Sequence, residues 1–153
     1  MSDPQQTFAA FQQKFAPNAD PAELLQATLD TLLMLGGSLA LTLAIGLPLG
    51  VILYLTARGR LLAAPGLHAG LGLLVNILRA VPFVILLILL IPVTVALVGT
   101  SLGVQGAIVP LVIGTAPFFA RLVEAALKEV DPGVIEASQA MGARPHQIVL
   151  GTL

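Results

Sequence analysis

Residues 80–120 read AVPFVILLILLIPVTVALVGTSLGVQGAIVPLVIGTAPFFA, and none of them is charged. As one helix this stretch would reach about 60 Å, twice the roughly 30 Å hydrocarbon core of a bilayer. It must therefore fold back on itself. The only turn-rich place near its middle is Val98-Gly99-Thr100-Ser101-Leu102-Gly103. The stretch thus divides into a span from about residue 74 to 97 and another from about 105 to 124. Pro82, Pro92, Pro110 and Pro117 are expected to interrupt them. In lipid such breaks must be satisfied by neighbouring helices or face a cavity, which favours a pathway over a simple anchor.

Upstream, no charge occurs from Thr31 to Ala57. A helix of that length reaches about 40 Å, enough to cross a bilayer with some tilt, and makes a first span. Gly46 and Gly50, with Pro48 between them, form a small-xxx-small pattern that lets another helix approach closely. Asp20-Pro21-Ala22-Glu23 is a helix start, with Asp20 as cap, Pro21 at the first position and Glu23 spaced as in a capping box. Residues 1–20 are a polar segment whose Phe8, Phe11 and Phe15 share a helical face. They read either as a short interfacial helix or as a mobile tail. Residues 61–78 are apolar but carry Pro65, Gly66, His68, Gly70, Gly72 and Asn76. Leu67, Leu71, Leu74 and Leu78 form one stripe, which suits a helix lying along the membrane surface and bending inward near Arg79.

Composition agrees with this reading. Hydrophobic residues make up 57% of the chain and charged residues 10%, against about 25% charged in soluble domains; the mean hydropathy is +0.98. This is an integral membrane protein. A net charge of −1 without a basic tail or patch gives no argument for nucleic acid. The absence of cysteine excludes disulfides and thiolate metal sites within this sequence. The first residues lack the apolar core of a signal peptide. Arg58, Arg60 and Arg79 follow the first span, and Arg121, Lys128 and Arg144 follow the third, whereas the opposite side has Lys14 among Asp3, Asp20, Glu23 and Asp30. The positive-inside rule then puts the N-terminus outside and Glu136 in the cytoplasm.

The remaining stretch, Glu136–Leu153, reads EASQAMGARPHQIVLGTL. Asp131-Pro132-Gly133 opens a helix on which Val134, Ala137, Ser138 and Met141 share a face. Gly142 suits a left-handed helix end and Pro145 a new start. Two short helices should meet at an angle, presenting a narrow small-residue ridge. Such a ridge fits either a docking element or an ordinary surface helix. His68 and His146 lack partners at metal-ligand spacing and read as surface or capping residues. Arg121 and Glu124 are spaced to pair, and Asn76 to bond a neighbouring helix. The sequence contains no phosphate-binding Gly-rich loop and no catalytic constellation.

Glu136-Ala137-Ser138 followed by Gly142 resembles the EAA-xxx-G loop of ABC-importer permeases, with Ser138 in place of the second Ala and Thr152 where Ile is usual. Leu78-Arg79-Ala80-Val81-Pro82 is similar to the Arg-x-x-Pro that opens a span in amino-acid importers. Val98–Leu111 and Ala116–Glu124 look like methionine-importer permeases. The resemblance implies an all-α polytopic membrane protein, with three spans in this chain and a cytoplasmic helix-turn-helix coupling loop. It assigns Glu136, Ala137, Ser138, Met141, Gly142, Ala143 and Pro145 to contact with an ATPase subunit, Arg79 and Pro82 to the span start, and residues 21–153 to the permease domain. That domain would be C-terminally incomplete, since the sequence ends just before the family's Leu-Pro pair. Implied partners are a second copy of the chain, ATPase subunits that bind the ATP, an external substrate-binding lipoprotein and the lipid of a bacterial inner membrane. No catalytic residue, metal or cofactor falls to this chain. The rival is a secondary transporter or channel fragment, against which stands the expectation that the spans hold no acidic or basic residue.

Overall fold

The computed structural model describes residues 20–151. Phe8, Phe11 and Phe15 lie outside the described residues, as do Thr152 and Leu153. Among the described residues every regular element is a helix: α1 (Pro21–Thr56), α2 (Pro65–Ala80), α3 (Phe83–Val98), α4 (Gly103–Lys128), α5 (Pro132–Ala140) and α6 (Pro145–Gly151). α1 and α4 are each long and apolar enough to cross a membrane. α2 and α3 make a third candidate span only as a pair, bent by 110°.

α1 begins before the uncharged stretch, because Asp20 accepts a hydrogen bond from the Ala22 N–H at 2.9 Å and Pro21 fits the first turn. The span expected from about residue 74 to 97 is instead divided at Val81-Pro82. Pro82 offers no N–H, and it holds Val81 in extended backbone at φ −75°, ψ 126°. The bend thus falls just after Arg79. Pro92, Pro110 and Pro117 do not interrupt the spans as expected, and Pro48 also sits inside a helix. An interior proline removes one ladder bond, which neighbouring helices help to accommodate in lipid; Pro110 and Pro117 are buried in the contact with the other helices. α3 ends at Gly99, whose φ of +80° suits glycine.

The core lies between α1 and α4. A Cβ on Gly46 would stand 2.9 Å from the Phe119 ring and 3.0 Å from the Ala116 carbonyl, and one on Gly50 would stand 2.6 Å from the Ala120 carbonyl and from Val123 Cβ. Thr115 donates its only hydroxyl proton to the Leu111 carbonyl at 2.6 Å, so Thr42 donates to Thr115 across the interface at 2.7 Å. α2 packs beside this pair through Val75, which joins Leu53 and Ala120 in one buried cluster with Leu49 and Leu71 against it. The leucine stripe is therefore split: Leu71 packs inward while Leu67 and Leu74 are exposed.

The glycines give a direct test. Gly50→Ala drives a methyl group into a backbone carbonyl and should cost about 1–3 kcal/mol. Gly36→Ala meets nothing within 4 Å and should be neutral or stabilising by up to about 1 kcal/mol. Reversible unfolding in mixed micelles distinguishes the two.

Candidate functional site

The region after α4 folds onto the end of α1. Asp131 caps α5 by accepting from the Gly133 N–H at 2.8 Å, with Pro132 at the first helical position. At its other end the Ala143 N–H reaches the Ser138 carbonyl at 3.1 Å and the Gly142 N–H reaches Gln139 at 2.9 Å. Gly142 lies between at φ +83°, in the left-handed region where a Cβ is strained. α6 then starts at Pro145, and Gln147 Oε1 accepts from the Arg144 N–H at 2.8 Å, the reaching-back half of a capping box.

This helical hairpin has an inner and an outer side. Ile135 and Ile148 enter a buried cluster with Tyr54 and Leu55 of α1, and Leu127, Val130 and Ala143 pack around it. Val134, Glu136, Ala137, Gln139 and Met141 are exposed, Met141 at 81%. Ser138 does not belong with the exposed ridge, contrary to the face expected from spacing. It is buried beside Ile135 and donates to the Val134 carbonyl at 2.9 Å. Ile135 and Ser138, three apart, turn toward α1, and the ridge is left to Val134, Ala137 and Met141. Of the remaining hairpin residues, Gly142 is exposed, Ala143 is half-buried and Pro145 opens α6. A cleft of about 220 Å³ separates α5, at Pro132, Ile135, Glu136 and Gln139, from the loop Gly59–Leu61.

That loop and its surroundings finish the polar groups at the end of α1. The Leu62 and Ala64 N–H groups return to the Leu55 and Thr56 carbonyls at 3.1 and 3.0 Å. His68 donates from Nδ1 to the Leu53 carbonyl at 2.9 Å, so its capping role serves α1 from the first turn of α2. Arg60 lies 4.5 Å from the centre of the Tyr54 ring and donates to its hydroxyl at 2.9 Å. The side chain of His146 is outside the description. Among the described residues no three His, Cys, Asp or Glu side chains converge as a metal site would need.

The charges of α4 form a network that sequence reading caught only in part. Glu124 is 2% exposed; it accepts from Arg121 at 2.6 Å and from Lys128 at 2.7 Å. Arg121 also donates to the Gly72 carbonyl at 3.0 Å and to Asn76 Oδ1 at 3.2 Å, tying α2 to α4. The Arg-xx-Glu-xxx-Lys spacing was the available signal, since i, i+3 and i, i+4 residues share a helix face. The same network corrects the expectation that the spans hold no charge. Arg121 and Glu124 lie inside α4, next in sequence to Ala120 and Val123, the residues that face Gly50 of α1. Arg79 and Pro82 flank the break between α2 and α3: Arg79 stands over the Phe118 ring at 5.8 Å, and Pro82 precedes the first turn of α3.

Residues 46–153 match the family described as binding-protein-dependent transport system inner membrane component. Over 94% of its length the chain is 50% identical to a probable D-methionine transport system permease protein of Vibrio cholerae, of which it covers 63%. It is 51% identical to the D-methionine transport system permease protein of Escherichia coli over 82% of this chain and 58% of that protein. With a methionine import system permease protein of Bacillus subtilis it shares 48% identity over 92% of this chain and 64% of that protein. The chain thus spans about three fifths of the length of the curated relatives it matches. Among solved structures, an inward facing methionine ABC transporter named MetNI superposes with a TM-score of 0.82 at 48% identity, covering 88% of this chain and 63% of that one.

Glu124→Ala should leave Arg121 and Lys128 without their shared carboxylate and destabilise the α2–α4 contact by about 3–5 kcal/mol. Replacing Arg121 and Glu124 together with methionine should recover most of that loss. A double-mutant cycle of unfolding free energies in micelles reads the coupling.

Proposed function

Because the chain belongs to the family of binding-protein-dependent transport system inner membrane components, we propose that it serves as the membrane-spanning permease subunit of an ABC importer for methionine or a related amino acid. One observation carries the reading: relatives named for methionine transport are about 50% identical to this chain over more than nine tenths of its length. The MetNI likeness supports an ATPase partner and a paired permease. An external binding lipoprotein would deliver substrate, and ATP would be bound by the ATPase, leaving no catalysis to this chain. The rival of an ATP-independent carrier has no counterpart among these relatives, although the charges inside α4 remove the earlier argument against it.

In this reading the exposed ridge of Val134, Ala137 and Met141, with Glu136 beside it, is the face presented to the ATPase. The apolar inner side anchors that face to α1. ATP shifts a conformational equilibrium only if it favours one state over the other. Closure of the ATPases would move the paired hairpins and, through Tyr54 and Leu55, the inner ends of the spans. The bias of Arg58, Arg60, Lys128 and Arg144 supports a cytoplasmic hairpin and an external N-terminus.

Coexpression with the candidate ATPase and binding protein tests the assignment through copurification and methionine uptake; no association and no uptake would reject it. Gly142→Asp adds backbone strain, bulk and charge at the exposed turn without touching the spans. Insertion should stay near normal while uptake falls more than tenfold. Gly99→Asp, at the far end of α3, should leave ATPase association intact. For orientation, Ser2→Cys should react with an impermeant maleimide in intact spheroplasts and Gln139→Cys should not; the reverse pattern would overturn the topology.

A further inference from the structure

Arg79 differs from the other arginine placed deep beside α4. Its guanidinium has no hydrogen bond or ion pair among the described residues and stands over the Phe118 ring. It opens onto a cleft of about 410 Å³ walled by Pro82, Phe83, Leu86, Gly114 and Phe118. The cleft is fitted to an aromatic wall: a Cβ on Gly114 would lie 3.2 Å from the Phe83 ring.

The α1–α4 register gives the depth of this cleft. Gly46 meets Ala116 and Phe119, so Phe118 is level with residues just past the middle of the uncharged Thr31–Ala57 stretch. Arg79 therefore lies about one helical turn from the midplane on the Arg58 side. An arginine at that depth is costly and marks a functional site when no protein anion answers it. Arg121, one turn further along, is answered by Glu124, Asn76 and the Gly72 carbonyl. The C-terminus of α2 attracts a cation, but that attraction is smaller than the cost of the placement. The start of α3, which borders the cleft, has no side-chain cap and no acid in its first turn, so the potential there is of the same positive sign.

We propose that this cleft is a substrate subsite in which Arg79 binds the α-carboxylate of the passing amino acid while Phe83, Leu86 and Phe118 receive its apolar side chain. The assignment rests on the transport reading above and names the group by which the substrate is held.

Residues 1–153 hold no cysteine, so Leu78→Cys places a thiol at the cleft of the permease copurified with its ATPase in nanodiscs. Methionine should slow maleimide labelling several-fold, and methioninamide, which lacks the carboxylate, should not. R79Q should abolish the protection and cut uptake about tenfold, and R79K should retain part of both. Protection of the Leu78→Cys thiol is read with Arg79 intact, so the proposal is decided even if R79Q fails to assemble. Equal protection by methionine and its amide, or R79Q with the parent's uptake, overturns it. So does a Leu78→Cys protein whose labelling, with Arg79 intact, rises to the R79Q rate when anionic lipid is omitted, since that assigns Arg79 to a lipid phosphate. If the parent itself takes up no methionine with its ATPase and binding protein, the transport reading fails, and this assignment falls with it.

Discussion

The approach of α1 to α4 at Gly50 fixes where the rest of the chain can sit. With no room for even a methyl group against the Ala120 carbonyl, the two helices touch nearly backbone to backbone, the close packing that small residues permit in lipid. Hydrophobic burial cannot drive this association, because lipid tails are as apolar as leucine. Shape decides it, with the Thr42–Thr115 hydrogen bond as one directional contact. Once that register is set, Leu53 meets Ala120 and Val75, and the end of α1 lies beside the end of α4. The cluster of Tyr54, Leu55, Leu127, Ile135 and Ile148 follows from that juxtaposition.

Electrostatics completes what packing begins. Glu124 is buried between two cations, and the arginine of the pair also reaches α2 through Nη2, while its buried Nε–H has no partner among the described residues. A buried ion pair is weak evidence for net stability, since desolvation offsets most of its attraction. Its geometry nevertheless specifies one arrangement: the guanidinium reaches the Gly72 carbonyl because residue 72 has no side chain, and a Cβ there would lie 3.1 Å from Arg121. The network is thus a registration device between α2 and α4 in the turns of α2 that precede the bend. Arg79, in the last turn of α2 before the bend, has no such closure within the described residues.

The spans were legible because charge is so sparse: two uncharged runs and one Gly-Thr-Ser turn suffice to place α1, α3 and α4. The left-handed turn at Gly142 was legible from its position between a capped helix and Pro145. Which prolines break a helix was not. Pro82 and Pro92 look alike in sequence, but α2 ends at Ala80 before Pro82, whereas α3 runs through Pro92 without a break. The face of α5 was misassigned for a related reason. Spacing alone groups Ser138 with Val134, and only the position of Tyr54 and Leu55 turns Ile135 and Ser138 inward. The functions of Glu136, Arg79 and Pro82 rest on motif resemblance, to which the geometry adds exposure for the first and a cleft for the others.

The division of α5 into an apolar inner side and a small-residue outer side has a mechanical consequence. A load applied to Val134, Ala137 and Met141 passes through a nine-residue helix whose opposite face is wedged against Tyr54 and Leu55. Close-packed side chains transmit displacement rather than absorb it, so α1 and the end of α4 would move with the hairpin as one unit. α3 is joined to that unit through the bend at Val81-Pro82 and through its own contact with α4, where Phe83 meets Gly114. The break therefore lies between the hairpin-bound end of the molecule and α3. In the transport reading proposed above, a change in the angle between α2 and α3 against the α1–α4 pair would reshape the cleft at Arg79.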